Sequence, residues 1–269
     1  MKVLNNLYQY VNILSLDVVA GAVISSLFFA RIFGVSYSVQ VLAALALTVW
    51  IIYTLDHLRD ARSIPRIAST DRHRFHQRYF RILSIIMIVA ILIDFVLIWF
   101  VPGKVLQLGL GLWCIVLVYL ILQRYLKFLK EFFVACLYTM GVLLPSLGVI
   151  HSELIPVHYI LIGKFFITAW MNLLLFSLFD YNEDRTHQHH SFVTWFGRVS
   201  TRNGILFLGL LNILSGIWLW SFDPNVALIF IFMNIMLLAI LFLQKHLVFN
   251  NYYRILGDAV FFIPVFYLL

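Results

Sequence analysis

The chain has 269 residues, of which 63% are hydrophobic and only 12% charged, with a formal net charge of +7. That composition excludes an ordinary soluble domain. Its long apolar runs exclude a transmembrane barrel, which is built from short alternating segments. The positive charge lies in the loops and reads as membrane orientation and anion attraction, not nucleic-acid binding. The 25 Phe, 13 Tyr and 7 Trp suit lipid-facing and interfacial positions. Cys114 and Cys136 lie in or beside apolar runs and give neither metal spacing nor a disulfide argument.

In chain order, nine spans are expected, roughly 13–33, 37–56, 80–101, 104–123, 132–151, 155–180, 203–222, 225–243 and 253–269. The first is read as a retained helix, because the preceding residues lack a strong basic region and a cleavage site. No linker or polar domain interrupts the series, so residues 1–269 read as one all-α membrane domain. The loop 57–81 carries seven Arg. The loop 124–131 carries Arg124, Lys127 and Lys130; 181–202 carries Arg185, Arg198 and Arg202; 244–254 carries Lys245 and Arg254. The alternate loops hold one basic residue, Lys104. The positive-inside rule then places the four basic loops and the N-terminus in the cytoplasm. A cell inner membrane is the expected location.

Two carboxylate motifs sit on that same side. The first is Asp56-His-Leu-Arg-Asp60 at the end of the second span. The second is Asp180-Tyr-Asn-Glu-Asp184 at the end of the sixth. Five of the twelve acidic residues (Asp56, Asp60, Asp180, Glu183 and Asp184) fall in these two windows. The spacing puts each Asp pair on one helix face, roughly 6 Å apart. Carboxylates that close repel unless a cation separates them. Mg²⁺ takes hard oxygen ligands and keeps positions open for substrate phosphates. Each pair is therefore expected to hold Mg²⁺ against one diphosphate substrate. The even offset of four spans hints at an internal repeat. The plain alternative is a pair of interfacial helix ends neutralised by Arg59 and Arg185.

These residues resemble the UbiA superfamily of intramembrane aromatic prenyltransferases. The family's first motif reads Asn-Asp-x-x-Asp-x-x-x-Asp; here its last two Asp are matched by Asp56 and Asp60, while Ile52 and Tyr53 replace the leading pair. Its second motif is matched by Asp180, Asp184, Ser191, Phe196 and Gly197, with Gln188 in place of a usual Gly. Tyr125, Lys130, Gly141 and Pro145 match a third, weaker pattern. The family's Arg-Pro-Leu after the first motif has no clear counterpart; Pro65-Arg66 and Asp71-Arg72-His73-Arg74 are the nearest material. The resemblance implies a nine-helix bundle with a central cavity, and a divergent member of the family. It also implies Mg²⁺ at Asp56, Asp60, Asp180 and Asp184, and transfer from a prenyl diphosphate to an aromatic or other lipid-precursor acceptor, as in quinone biosynthesis. A UbiA-type terpene cyclase and a catalytically degenerate isoprenoid-binding protein fit the same residues.

Basic side chains are needed to neutralise a departing diphosphate. The candidates are Arg72, Arg74, Lys127, Lys130 and Arg185; solvated topology signals are the alternative. Tyr53, Asn172 and Asp17 are candidates to face the cavity. Asp258, near a cytoplasmic helix end, could also face it. Six histidines (His57, His73, His76, His187, His189 and His190) lie in the motif loops and raise a diiron oxygenase as a rival. Their spacing departs from the usual His boxes. Deeper in the membrane, Asp94 and Lys164 lie about 21 Å and 24 Å from the cytoplasmic ends of their helices, a similar depth that suggests an ion pair. Membrane lipids and a small or lipid acceptor are the expected partners; nucleic acid is not.

Overall fold

The structure, a computed structural model, describes residues 2–63, 71–186, 190–248 and 252–269. All regular elements among them are helical. They are α1 (Lys2–Ile13), α2 (Leu16–Ile32), α3 (Val39–Ser63), α4 (Asp71–Arg78), α5 (Phe80–Leu97), α6 (Gly103–Leu126) and α7 (Lys130–Val149). There follow α8 (Pro156–Phe179), α9 (Tyr181–Thr186), α10 (Phe192–Leu219), α11 (Pro224–Phe242), α12 (Gln244–Leu247), α13 (Tyr252–Ala259) and α14 (Val265–Leu268). Among the described residues seven helices are long and apolar enough to cross a membrane: Val39–Arg62, Phe80–Phe100, Gly103–Gln123, Lys127–Val149, Pro156–Phe179, Phe192–Leu219 and Pro224–Phe242. The protein is an integral, multi-pass membrane protein. The other two expected spans are α2, which has 17 residues, and the broken segment α13, 3₁₀ turn Val260–Phe262 and α14. Pro264, which has no N–H to continue a helix, marks the break.

Local sequence explains the helix ends. Asp223 accepts from the N–H groups of Asn225 and Val226 at 2.9 and 3.2 Å, and Pro224 opens α11. Tyr267 donates to the same carboxylate at 2.9 Å, tying the C-terminal turn to α11. At the start of α10, Thr194 Oγ1 accepts from the Ser191 N–H at 2.9 Å. The helix begins well before the expected span at 203, and a kink at Gly197 absorbs the change of direction. Gly197 has φ +83°, which a residue with a Cβ adopts only under strain.

The helices close around a polar-mouthed cavity. α2 packs on α3 and α7, α8 on α7, α10 and α11, and α13 on α2 and α8. Phe28, Phe29, Phe165 and Phe230 fill the core, with Phe29 edge-on to Phe165 at 5.3 Å. Large apolar side chains of α5, the 3₁₀ turn Ile98–Phe100 that follows it and α6, such as Ile85, Leu92, Trp99, Ile115 and Ile121, point outward, as a lipid-facing surface requires.

A second polar cluster is walled off from the cavity. Lys164 donates to the Asn212 carbonyl and, at 2.9 Å, to Ser215 Oγ. Asn212 Nδ2 reaches the Lys164 carbonyl, Thr168 Oγ1 and Asn234 Oδ1 at 3.1, 3.0 and 3.2 Å. This corrects the expected pairing of Lys164 with Asp94, which accepts instead from Thr48 at 2.8 Å. Equal depth says nothing about which side of a helix a residue occupies. The cluster joins α8, α10 and α11, and Asn212→Leu strands Asn234 Oδ1 and removes the bond to Thr168, which keeps the Lys164 carbonyl and Asn234 Nδ2. We expect it to lower unfolding free energy by about 1–2 kcal/mol, measured by denaturant unfolding in mixed micelles; no loss would show that the cluster does not bind these helices together.

Candidate functional site

Both motifs open into one cavity of about 1460 Å³, lined by Asp56, Asp60, Asp180 and Asp184. The register assumed for them holds. Asp56 and Asp60 lie within α3, and the Asp184 N–H donates to the Asp180 carbonyl at 2.9 Å, one helical turn. Lys130, at the start of α7, stands in electrostatic range of Asp56, Asp60, Glu131 and Asp184. It links the two motifs across the cavity mouth. Gln123 of α6 comes within hydrogen-bonding reach of Asp56. Arg59, which the plain alternative pairs with this motif, donates to the Leu120 carbonyl and so ties α3 to α6, while staying in electrostatic range of Asp56.

Asp180 has a different environment. The Tyr253 hydroxyl donates to its Oδ1, and Arg254 forms an ion pair with its Oδ2. Tyr253 stacks on Phe179 at 4.4 Å, and its hydroxyl also accepts from Arg254 Nε at 3.3 Å. α13 approaches α8 closely at Gly257, where a Cβ would fall 2.5 Å from Asn172 Oδ1. A side chain there would push Tyr253 and Arg254 away from Asp180.

Beside this lies a network built on Asn12. Its Nδ2 donates to Asp17 at 2.6 Å and to Asp258 at 3.3 Å, while Arg72 Nη2 donates to Asn12 Oδ1 at 2.9 Å and to the Asn12 carbonyl at 3.1 Å. Arg72 is thereby held over the cavity from α4 and interacts electrostatically with Arg254, Asp258, Asp17 and Asp180. Ser15 meets His57 at 3.1 Å, and His76 Nδ1 donates to the Arg72 carbonyl at 2.9 Å. Burial pushes the His76 ring below the ordinary imidazole range. These two histidines are spent on holding the mouth together. His187, Gln188, His189, Pro65 and Arg66 lie outside the described residues.

Of the remaining candidates, Tyr53, Asn172, Arg72 and Lys130 line the cavity. Asp17 does not; it sits behind Asn12 as that residue's anchor. Arg74, Lys127 and Arg185 also lie outside the lining. Lys127 instead covers the Trp195 ring at 5.2 Å. Sequence reasoning missed Tyr253, Arg254, Glu131 and Asn12 as site residues. Arg254 had counted only as a loop charge, and Asn12 lies before the first expected span. Glu131 follows Lys130 directly and was open to the same reading. It is buried, and its Oε1 accepts from the Phe192 N–H at 3.0 Å.

Among the described residues the lining holds seven carboxylates (Asp56, Asp60, Asp94, Glu131, Asp180, Asp184 and Asp258) against four Lys or Arg side chains, an excess of three. An acid-rich wall of this kind receives a diphosphate best with divalent cations between them. Among the same residues no three His, Cys, Asp or Glu side chains converge as a cage. Paired carboxylates fit an ion that completes its shell with water and substrate oxygens, the habit of Mg²⁺. They do not fit a His-rich iron centre. Beyond the mouth the lining is apolar, with Met87, Ile91, Leu110, Val116, Leu137 and Leu144 among its residues.

No family model and no curated protein matches the sequence. Solved structures do match the fold. One is a UbiA homologue from Archaeoglobus fulgidus bound to DMAPP and Mg²⁺, with 12% identity and a TM-score of 0.64 over 96% of this chain and 98% of that one. The homologue from the same organism bound to Cd²⁺ matches with 14% identity and a TM-score of 0.60, over 94% and 99% of the two chains. A digeranylgeranylglyceryl phosphate synthase matches with 13% identity and a TM-score of 0.57, over 97% of each chain. The chain has the fold of the UbiA homologues.

Proposed function

We propose that this chain is a divergent UbiA-superfamily enzyme, a Mg²⁺-dependent intramembrane prenyltransferase that moves an isoprenyl group from a prenyl diphosphate to a lipid-precursor acceptor. The observation that carries the reading is the convergence of both Asp-x-x-x-Asp pairs, with Lys130 in range of each, at the mouth of one cavity that is apolar beyond. The fold shared with a UbiA homologue bound to DMAPP and Mg²⁺ supports it. In this reading the bundle has nine spans. The basic loops place its N-terminus and its site on the cytoplasmic side of a cell inner membrane.

The chemistry follows from the charges. Asp56 with Asp60, and Asp180 with Asp184, hold the metal-bound diphosphate. Held there, Mg²⁺ would supply positive charge to the phosphate oxygens. Lys130 and Arg72 face the same oxygens from α7 and α4 and neutralise what charge remains. The C–O bond breaks with its electron pair going to the diphosphate. The allylic cation is left in a chamber whose apolar walls exclude water and whose aromatic faces, Tyr119 and Phe176 among them, stabilise positive charge. The acceptor then forms the new bond and gives up a proton.

Diphosphate release by the protein in nanodiscs tests this reading. Release requires Mg²⁺, a prenyl diphosphate and an acceptor-containing lipid extract. It falls by roughly 100-fold or more in Asp56→Ala and in Asp180→Ala. Release without an acceptor would replace transfer by cyclisation, and failure of Mg²⁺ to promote prenyl diphosphate binding would end the enzyme reading.

The chamber also makes a prediction about tail length. Gly141 lines it, and a Cβ there meets only Leu112 Cδ2, at 3.9 Å. Gly141→Phe adds a ring to the space meant for the tail. The preference for long over short prenyl diphosphates, as a ratio of kcat/KM values, drops by roughly tenfold. An unchanged ratio would place the tail elsewhere.

A further inference from the structure

Asp180, offered above as a metal ligand, has both of its oxygens engaged by α13, one by the Tyr253 hydroxyl and one by the Arg254 guanidinium. A carboxylate cannot serve an arginine and a divalent ion through the same lone pairs at full strength. Arg254 is held for this contact. Its Nε reaches the Tyr253 hydroxyl, and its guanidinium lies 5.5 Å from the centre of the Phe176 ring. It also lines the cavity and stands in electrostatic range of Arg72. The two guanidiniums share Asp180 and Asp258 as counter-charges, so each can turn to a bound anion without leaving its partner uncompensated. We propose that Arg254 is an exchangeable counter-ion: it neutralises Asp180 before substrate arrives, and it passes to the diphosphate when the metal takes the carboxylate, forming an anion clamp with Arg72.

The exchange answers a charge problem that both states share. A carboxylate at the edge of a membrane core needs a cation or hydrogen-bond donors at all times. Before loading, that cation is Arg254. After loading, it is the metal, and the displaced guanidinium meets phosphate oxygens, a geometry that Arg serves with two parallel hydrogen bonds. The move is short, because Arg72 stands in electrostatic range of both Asp180 and Arg254. Metal and diphosphate thus bind cooperatively, since each removes the partner that holds the other's ligand in place. The proposal rests on the reading that the second motif binds metal, and its test separates the two.

The experiment uses the full chain in nanodiscs, with Mn²⁺ as an EPR-visible stand-in for Mg²⁺ and inorganic pyrophosphate as the anion. Wild type binds Mn²⁺ weakly alone and more tightly with pyrophosphate. Arg254→Gln binds Mn²⁺ alone roughly tenfold tighter, because the competitor is gone, and Mn²⁺-dependent pyrophosphate binding falls by roughly tenfold, within the ordinary range of coupling between sites. Arg254→Lys, which keeps the charge but not the paired hydrogen bonds, restores part of the pyrophosphate binding. In Asp180→Asn the guanidinium loses its counter-ion, and pyrophosphate binding without metal rises by roughly threefold or more. If Arg254→Gln leaves both affinities unchanged, or weakens Mn²⁺ binding with no rescue by Arg254→Lys, Arg254 is an anchor for α13 and the proposal is wrong. If Asp180→Asn binds Mn²⁺ with pyrophosphate as wild type does, the metal assignment beneath the proposal is wrong instead.

Discussion

A carboxylate in or near a membrane core cannot stand alone, because its solvation is gone and must be replaced by a cation or by donors. The cavity wall carries seven such groups among the described residues. Several of them draw a particular element inward. Lys130 brings α7 to the first motif, and Arg254 brings α13 to the second. Asn12, held by Asp17 and Asp258, brings the helix before the first expected span to the mouth and holds Arg72 there. The inward turn of these helices is as much a consequence of charge neutralisation as of apolar packing, since in lipid the hydrophobic effect gives little reason for one helix to prefer another.

The same rule separates the mouth from the remainder of the bundle. The Lys164 cluster satisfies its cation with a carbonyl and a hydroxyl and with no carboxylate, and it is absent from the cavity lining. It is suited to holding α8, α10 and α11 in register. Asp94, by contrast, lines the cavity with one oxygen bonded to Thr48. Thr48 precedes Asp56 by eight residues on α3, about 12 Å along the axis. The apolar chamber therefore has one polar mark well inside it.

Much of this was legible in the sequence, and the limits have physical causes. Apolar run length gave the bundle, since a bilayer sets a minimum for each span. The Asp spacing gave the motifs, because helix geometry alone puts i and i+4 on one face. Depth along a helix was also readable, but orientation around its axis was not. That is why Asp94 and Lys164 were paired wrongly, and why Asp17 was placed at the cavity when Asn12 stands in front of it. Arg74, Lys127 and Arg185 were drawn in by loop charge, which reports the side of the membrane and not the direction of a side chain. Arg254 was missed for the converse reason: it was read as topology when it meets a motif residue 74 positions earlier.

The altered first motif bears on how far the family's chemistry carries over. Ile52 and Tyr53 stand where the resemblance leads one to expect Asn and Asp, so α3 contributes two fewer oxygen-rich side chains. Polar character at that wall comes from other helices: Gln123 of α6 reaches toward Asp56, Lys130 of α7 stands over the pair, and Tyr53 itself lines the cavity. The second motif keeps both Asp residues, yet one of them is engaged by Tyr253 and Arg254. The first site is thus short of ligands while the second is shielded by a counter-ion. A site so arranged gains little from metal alone. In the proposed reading, substrate oxygens would complete the coordination that the first pair leaves open, and Arg254 would turn from Asp180 to the same anion.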